Sequence, residues 1–147
     1  MIQTKKLLLC LGFRMQVLLD THVILWAVSD DKRLSEKGRE IILNPKNDIF
    51  YSVVSMWEVA LKYSLKKNMP ISEDEFLVYC ENAGFHQLAL NQSHISTLKT
   101  LNLKDPEITH KDPFDNMLLS QAKAEGMTLL THDTAFSVYA EPYYFQI

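Results

Sequence analysis

The sequence predicts an α/β fold with a mainly parallel central sheet covered by helices on both faces. Three observations lead there. Short apolar runs alternate with longer segments of helical period. Runs such as Val17-Leu18-Leu19 and Thr128-Leu129-Leu130-Thr131 are almost continuously apolar, as strands buried on both faces are. Capping and breaking residues separate the two kinds of segment.

The elements follow in order. Val17–Leu19 is a buried strand ended by Asp20 and Thr21, with Thr21 read as N-cap of a helix over His22–Val28. Ser35 caps a second helix, Glu36–Leu43, which Asn44-Pro45 stops. Asp48–Ser52 is the second strand, followed by a helix over Val53–Lys66. Trp57, Ala60, Leu61 and Leu65 recur there at helical spacing. Ser72 and Glu75 form a capping box for Glu73–Asn82, and Gly84 ends that helix. Phe85–Leu90 reads as a short strand, and Ser93 as the cap of a helix reaching about Leu101. A polar loop spans Asn102–Lys111. Asp112 as N-cap and Pro113 at the first helical position start the helix Pro113–Glu125, closed by Gly126. Thr128–Thr131 is a buried strand, with Asp133 just past its end. The tail Tyr143–Ile147 is read as a last strand.

The 147-residue length argues for one domain, assigned to residues 15–147. At 47% hydrophobic the chain has ample material for one core. Residues 1–14, with two lysines before the short apolar run Leu7–Phe13, read as an extension or alternative start ahead of Met15. That run is too short to span a bilayer, so no membrane role is expected. Cys10 and Cys80 make no disulfide framework and no metal-ligand spacing, which suits a reducing cytoplasm. The net charge of −3 excludes a global positive field. Any attraction for nucleic acid must be local and partly metal-mediated.

Four acidic residues carry the functional signal: Asp20, Glu58, Asp115 and Asp133. In an open α/β sheet, ligands bind beyond the carboxyl ends of the strands. Asp20 and Asp133 occupy such ends, and Glu58 and Asp115 lie in early turns of helices that begin near the same edge. Carboxylates gathered there repel one another unless a cation sits between them, and the fitting cation is a hard divalent ion, Mg²⁺ or Mn²⁺. Each residue also has a structural reading. Asp20 could complement a helix dipole. Glu58 could pair with Ser55 in a capping box or with Lys62 at i,i+4. Asp115 could serve the same helix start as Asp112, and Asp133 could be a turn residue. Thr21 and Thr131 offer hydroxyls that orient a carboxylate or water, or simply cap. His22, His110 and His132 are not assigned as ligands, because a hard ion prefers oxygen. Lys62, Lys104 and Lys111 are candidates for phosphate contact, with a solvated face as the default reading of each. Trp26 and Trp57 read as core residues.

Four motifs carry a family resemblance: Val17-Leu18-Leu19-Asp20-Thr21-His22; Ser55-Met56-Trp57-Glu58-Val59-Ala60-Leu61-Lys62; His110-Lys111-Asp112-Pro113-Phe114-Asp115-Asn116; and Leu130-Thr131-His132-Asp133. In this order they resemble the PIN-domain family, specifically VapC-like toxins of bacterial toxin–antitoxin pairs, over nearly the whole chain from Met15 onward. The resemblance implies a three-layer α/β/α sandwich and a Mg²⁺- or Mn²⁺-dependent ribonuclease. Asp20, Glu58, Asp115 and Asp133 are then its catalytic, metal-holding residues, with Lys62 and Lys111 kept as candidates for RNA contact. It also implies neutralisation by a cognate antitoxin, and a homodimer. Asn116 stands where the subfamily usually has arginine, beside the acidic cluster.

Other acid-bearing folds fit less well. A receiver-type domain needs an aspartate ending the third strand and a lysine after the last. A haloacid-dehalogenase-like phosphatase needs Asp-x-Asp after strand one, where this chain has Asp20-Thr21-His22. A PIN fold kept only as a binding module for protein partners is the alternative from another class. The clustered carboxylates argue against it, since unused they cost stability.

Overall fold

In the computed structural model, which describes residues 13–147, β1 (Gln16–Leu19) leads into α1 (Thr21–Val28), α2 (Glu36–Leu43) and β2 (Asp48–Ser52). There follow α3 (Val53–Ser64), α4 (Glu73–Asn82), β3 (His86–Leu88) and α5 (Gln92–Thr97). A 3₁₀ turn (Leu98–Thr100) and a long loop precede α6 (Pro113–Glu125), β4 (Thr128–Thr131), a second 3₁₀ turn (Thr134–Val138) and β5 (Tyr144–Gln146). Residues 1–12, with Cys10 and most of the expected N-terminal extension, lie outside the described residues.

The five strands form one sheet in the order β3-β2-β1-β4-β5, and every pairing is parallel. The chain steps outward from β1 to β2 and β3, then crosses back to β4 on the other side of β1. This reversal makes a crevice between the carboxyl ends of β1 and β4, the place where open α/β sheets bind ligands. Leu19 pairs with Leu130 in register, and the Asp20 amide donates to the Leu130 carbonyl at 3.0 Å.

Side-chain alternation divides the core into two layers. Val17, Leu19 and Leu130 pack with Ile24, Ile41, Val59 and Phe76 on one face. Leu18 and Leu129 pack with Phe114, Leu118, Leu119 and Phe136 on the other. Each fully buried leucine contributes roughly 1.5–3 kcal/mol. The result is the expected three-layer α/β/α sandwich. Cys80 is a free thiol in the first layer, and burial pushes it up to about 12.

Local signals are realised at most ends. Ser35 caps α2, Ser72 and Glu75 form the capping box of α4, and Asp112 with Pro113 opens α6. Gly126 closes α6 at φ 68°, where a Cβ would be strained. Four boundary readings are corrected. α3 stops at Ser64, because Lys66 and Asn68 take positive φ and turn the chain toward α4. Asn91, not Ser93, caps α5, with His94 completing a capping box. Beyond Thr97 the predicted helix tightens into a 3₁₀ turn. Asp20, not Thr21, is the N-cap of α1. Trp57 is also corrected: it is 58% exposed, resting edge-on against Phe114 at 4.9 Å. No helix among the described residues is long and apolar enough to cross a membrane.

Candidate metal centre

Asp20 follows the last residue of β1, so parallel pairing with β4 holds its backbone in the crevice. Its carboxylate is only 3% exposed. Oδ1 accepts from the Thr21 amide and Oδ2 from Thr131 Oγ1, each at 2.7 Å. Burial raises its pKa, opposed by the Thr131 hydrogen bond and by His22, while Glu58 raises it further. The expected choice between helix complement and site residue is therefore not exclusive: Asp20 caps α1 and faces Glu58.

Glu58 lies on the second turn of α3 and is 2% exposed. Ser55 is inside the helix, and its hydroxyl accepts from Thr21 Oγ1 at 2.9 Å, tying α3 to α1. Thr21 thus uses its hydroxyl on Ser55 and only its amide on Asp20. Glu58 Oε2 accepts from Lys62 Nζ, so the i,i+4 pair exists, but it is not an ordinary surface pair. Glu58 Oε1 is buried with no hydrogen-bond partner. Burial works against the Lys62 charge. Glu58 outweighs it, helped by Asp112 and Asp115, and the Lys62 pKa is raised.

Asp115 stands in the first turn of α6, while Asp112 accepts from the Phe114 and Asp115 amides. The division between cap and free carboxylate is the one Pro113 marks. Burial first, then the negative charge of Asp20, pushes Asp115 up to about 7, against a hydrogen bond from His110. His110 Nε2 is 2.7 Å from Asp115 Oδ2. Both polar ends of Asn116 are engaged: its Nδ2 donates to the His110 carbonyl at 2.9 Å, and its Oδ1 accepts from the Tyr139 hydroxyl.

Asp133 is exposed and caps the 3₁₀ turn after β4 by accepting from the Ala135 amide. Its own amide donates to Thr131 Oγ1 at 3.0 Å. One hydroxyl thereby links Asp133 to Asp20. Donor atoms of His110, Asp115 and Asp133 lie within 4.8 Å of one another. A cleft of about 390 Å³ lined by Asp20, His22, Trp26, His132, Asp133 and Thr134 opens beside them.

The fold therefore brings all four acids to one edge. The donors are nearly all carboxylate oxygens, one is buried and unpartnered, and two are held above their usual pKa. A divalent cation satisfies each of these conditions at once. Of the lysine candidates, Lys62 joins the cluster, while Lys111 is exposed next to His110. Sequence reasoning weighed Ser55 only as a capping-box partner of Glu58, set His110 aside as a ligand, and passed over Tyr139. The only signals were Ser55 one turn before Glu58 and His110 five residues before Asp115.

The PIN domain family model matches residues 17–142. The chain belongs to the PIN domain family. Solved structures agree in fold. VapBC2 from Rickettsia felis, bound to a DNA fragment from its promoter, matches at 15% identity and TM-score 0.62, covering 90% of this chain and 98% of that one. VapBC-5 from Mycobacterium tuberculosis, a member of the VapBC family of toxin–antitoxin systems, matches at 18% identity and TM-score 0.58 over 90% and 98%. A toxin–antitoxin complex from Klebsiella pneumoniae matches at 16% identity and TM-score 0.56 over 89% and 99%. Among curated protein sequences there is no match. In this PIN domain the match begins within β1 and ends beyond Asp133, so all four acids lie inside it.

Proposed function

We propose that this PIN domain is a metal-dependent endoribonuclease, the toxin of a toxin–antitoxin pair, acting in the cytoplasm. One observation carries the reading. Asp20, Glu58 and Asp115 are buried together at the sheet's switch point, and Glu58 Oε1 has no partner there. Buried carboxylates without a cation are a net cost, so the arrangement makes sense as a site for one. The toxin reading is supported by structural neighbours that are VapBC or toxin–antitoxin complexes.

Asp20, Glu58 and Asp115 would hold the ion, with Asp133 reaching it directly or through water. Bound Mg²⁺ or Mn²⁺ would polarise a phosphate oxygen and activate water for in-line attack on the phosphodiester. Thr131 fixes the orientation of Asp20 through Oδ2, and Thr21 fixes Oδ1 through its amide. Ser55 holds Glu58's helix against Thr21. Asn116 holds the loop carrying His110 through that residue's carbonyl. Lys62 offsets part of the negative charge, and exposed Lys111 is placed to meet an RNA phosphate. The recess lined by Trp26, Met69, Ile71 and Tyr79 adjoins the cleft and suits an apolar segment of the antitoxin. A homodimer completes the expected assembly.

The test is cleavage of cellular RNA by the purified chain. Cleavage is expected with Mg²⁺ or Mn²⁺, is lost on chelation, and is absent in folded Asp20→Asn and Asp115→Asn variants. Equal toxicity on expression of those variants and the parent would sink the reading and favour the binding module.

A further inference from the structure

We propose that His110 supplies a nitrogen ligand to the bound ion, making a mixed imidazole–carboxylate centre that favours a first-row transition ion over Mg²⁺. This rests on the metal reading above and narrows it. It also reverses the expectation that the histidines stand outside the ligand set.

The argument begins with placement. His110 Nε2 is 2.7 Å from Asp115 Oδ2, and with Asp133 these donors lie within 4.8 Å of one another. That is the spacing of groups a single ion gathers. The imidazole is held rather than free. Its side chain is 12% exposed, and its ring lies 5.4 Å from that of Phe136. Its backbone carbonyl is fixed by Asn116, which Tyr139 holds in turn. Here the orientation comes through the backbone and the ring face, and Nε2, which would give up its proton on binding an ion, is the nitrogen turned to Asp115. A second observation is independent of His110: the buried Glu58 Oε1 has no partner within the same group of interacting charges.

Chemistry then separates the ions. Mg²⁺ is hard, keeps its water and gains little from imidazole. Affinity of a nitrogen-containing site rises from Mn²⁺ through Co²⁺ to Ni²⁺, and imidazole suits those later ions. An all-carboxylate centre would lack this added nitrogen contribution.

The test uses the full chain. Calorimetric titrations with Mg²⁺, Mn²⁺ and Co²⁺ compare the parent with His110→Gln and His110→Asn, and circular dichroism checks that each variant folds. Co²⁺ affinity is expected to fall about tenfold or more in both variants, while Mg²⁺ affinity changes less than about threefold. Pulsed EPR of the Mn²⁺-loaded parent, which needs no variant, is expected to show nitrogen hyperfine coupling, and both variants are expected to lose it. No coupling in the parent, coupling that persists in folded variants, or equal losses for Mg²⁺ and Co²⁺ overturns the proposal. Metal-dependent RNA cleavage without nitrogen coupling would overturn this inference alone. Nitrogen coupling without RNA cleavage would uphold it and remove the ribonuclease reading.

Discussion

Thr131 Oγ1 donates to Asp20 Oδ2 at 2.7 Å, joining the ends of β4 and β1 across 111 residues of sequence. The same oxygen accepts from the Asp133 amide, so one hydroxyl sets the positions of two acids. Thr131→Val keeps the shape and removes the hydroxyl. The buried Asp20 oxygen then loses its donor, and the variant is expected to lose about 1–3 kcal/mol in urea unfolding. Divalent-ion affinity should fall with it, and Thr131→Ser should restore most of both. Unchanged ion affinity in Thr131→Val would show that Asp20 is oriented without it.

Asp115→Asn should act in the opposite direction on stability. The carboxylate is buried beside Asp20, and the amide removes that repulsion while still able to hydrogen-bond His110. The metal-free variant is expected to be more stable than the parent at pH 7.5, by on the order of 1 kcal/mol. Stabilisation by added Mg²⁺ or Mn²⁺ should vanish. A metal-free melt at or below the parent's would mean that the cluster is not strained.

The same carboxylate predicts a pH dependence. Asp115 is pushed above its ordinary value of 3.8 to about 7 in the fold, so the folded state holds its proton more tightly than the unfolded chain. Its contribution to stability is fully present below about pH 4 and is lost as pH rises through about 7. Metal-free protein should therefore melt higher at pH 5.5 than at 7.5 in scanning calorimetry. Asp115→Asn should reduce the difference, and divalent ions should raise the melt more at 7.5 than at 5.5. A flat profile in the parent would refute the assignment.

Gly38 supplies a test away from the site. Within α2, alanine would improve helix propensity by about 1 kcal/mol. Yet a Cβ at Gly38 would meet Ile147 Cδ1 at 2.5 Å and Leu34 Cδ1 at 2.8 Å. Gly38→Ala is expected to stay within about 1 kcal/mol of the parent in chemical denaturation, because both close atoms are far ends of side chains that can shift, and that repacking offsets the propensity gain. A larger loss would show that Ile147 and Leu34 cannot yield.

Much of this was legible in local pattern. Asp112-Pro113, Ser72 with Glu75, and Gly126 mark helix ends through their own backbone chemistry, and α6 and α4 begin and end where those residues say. The alternation in Val17-Leu18-Leu19 assigns two faces, and the structure fills both. Asp20, Glu58, Asp115 and Asp133 could be placed at one sheet edge because strand ends and early helix turns are local features. The misreadings share a cause. Thr21 and Ser93 are good caps by residue type, but the residue that caps is the one whose oxygen reaches the free amides, here Asp20 and Asn91. Trp57 lies on an apolar helical stripe, and whether a stripe is covered depends on its neighbours.

The sequence by itself determined the order and kind of elements, the two-faced sheet and the four acids. These follow from period, capping and breaking, which act over a few residues. Only the tertiary structure decided that Thr131 serves Asp20, that Ser55 ties α3 to α1, and that His110 stands against Asp115. The Thr131–Asp20 contact depends on the return from β3 to β4 beside β1, and the Ser55–Thr21 contact on the seating of α3 against α1, choices made by packing rather than by local propensity. That crossing converts four scattered carboxylates into one charged cleft, with Thr131 holding Asp20 in place within it.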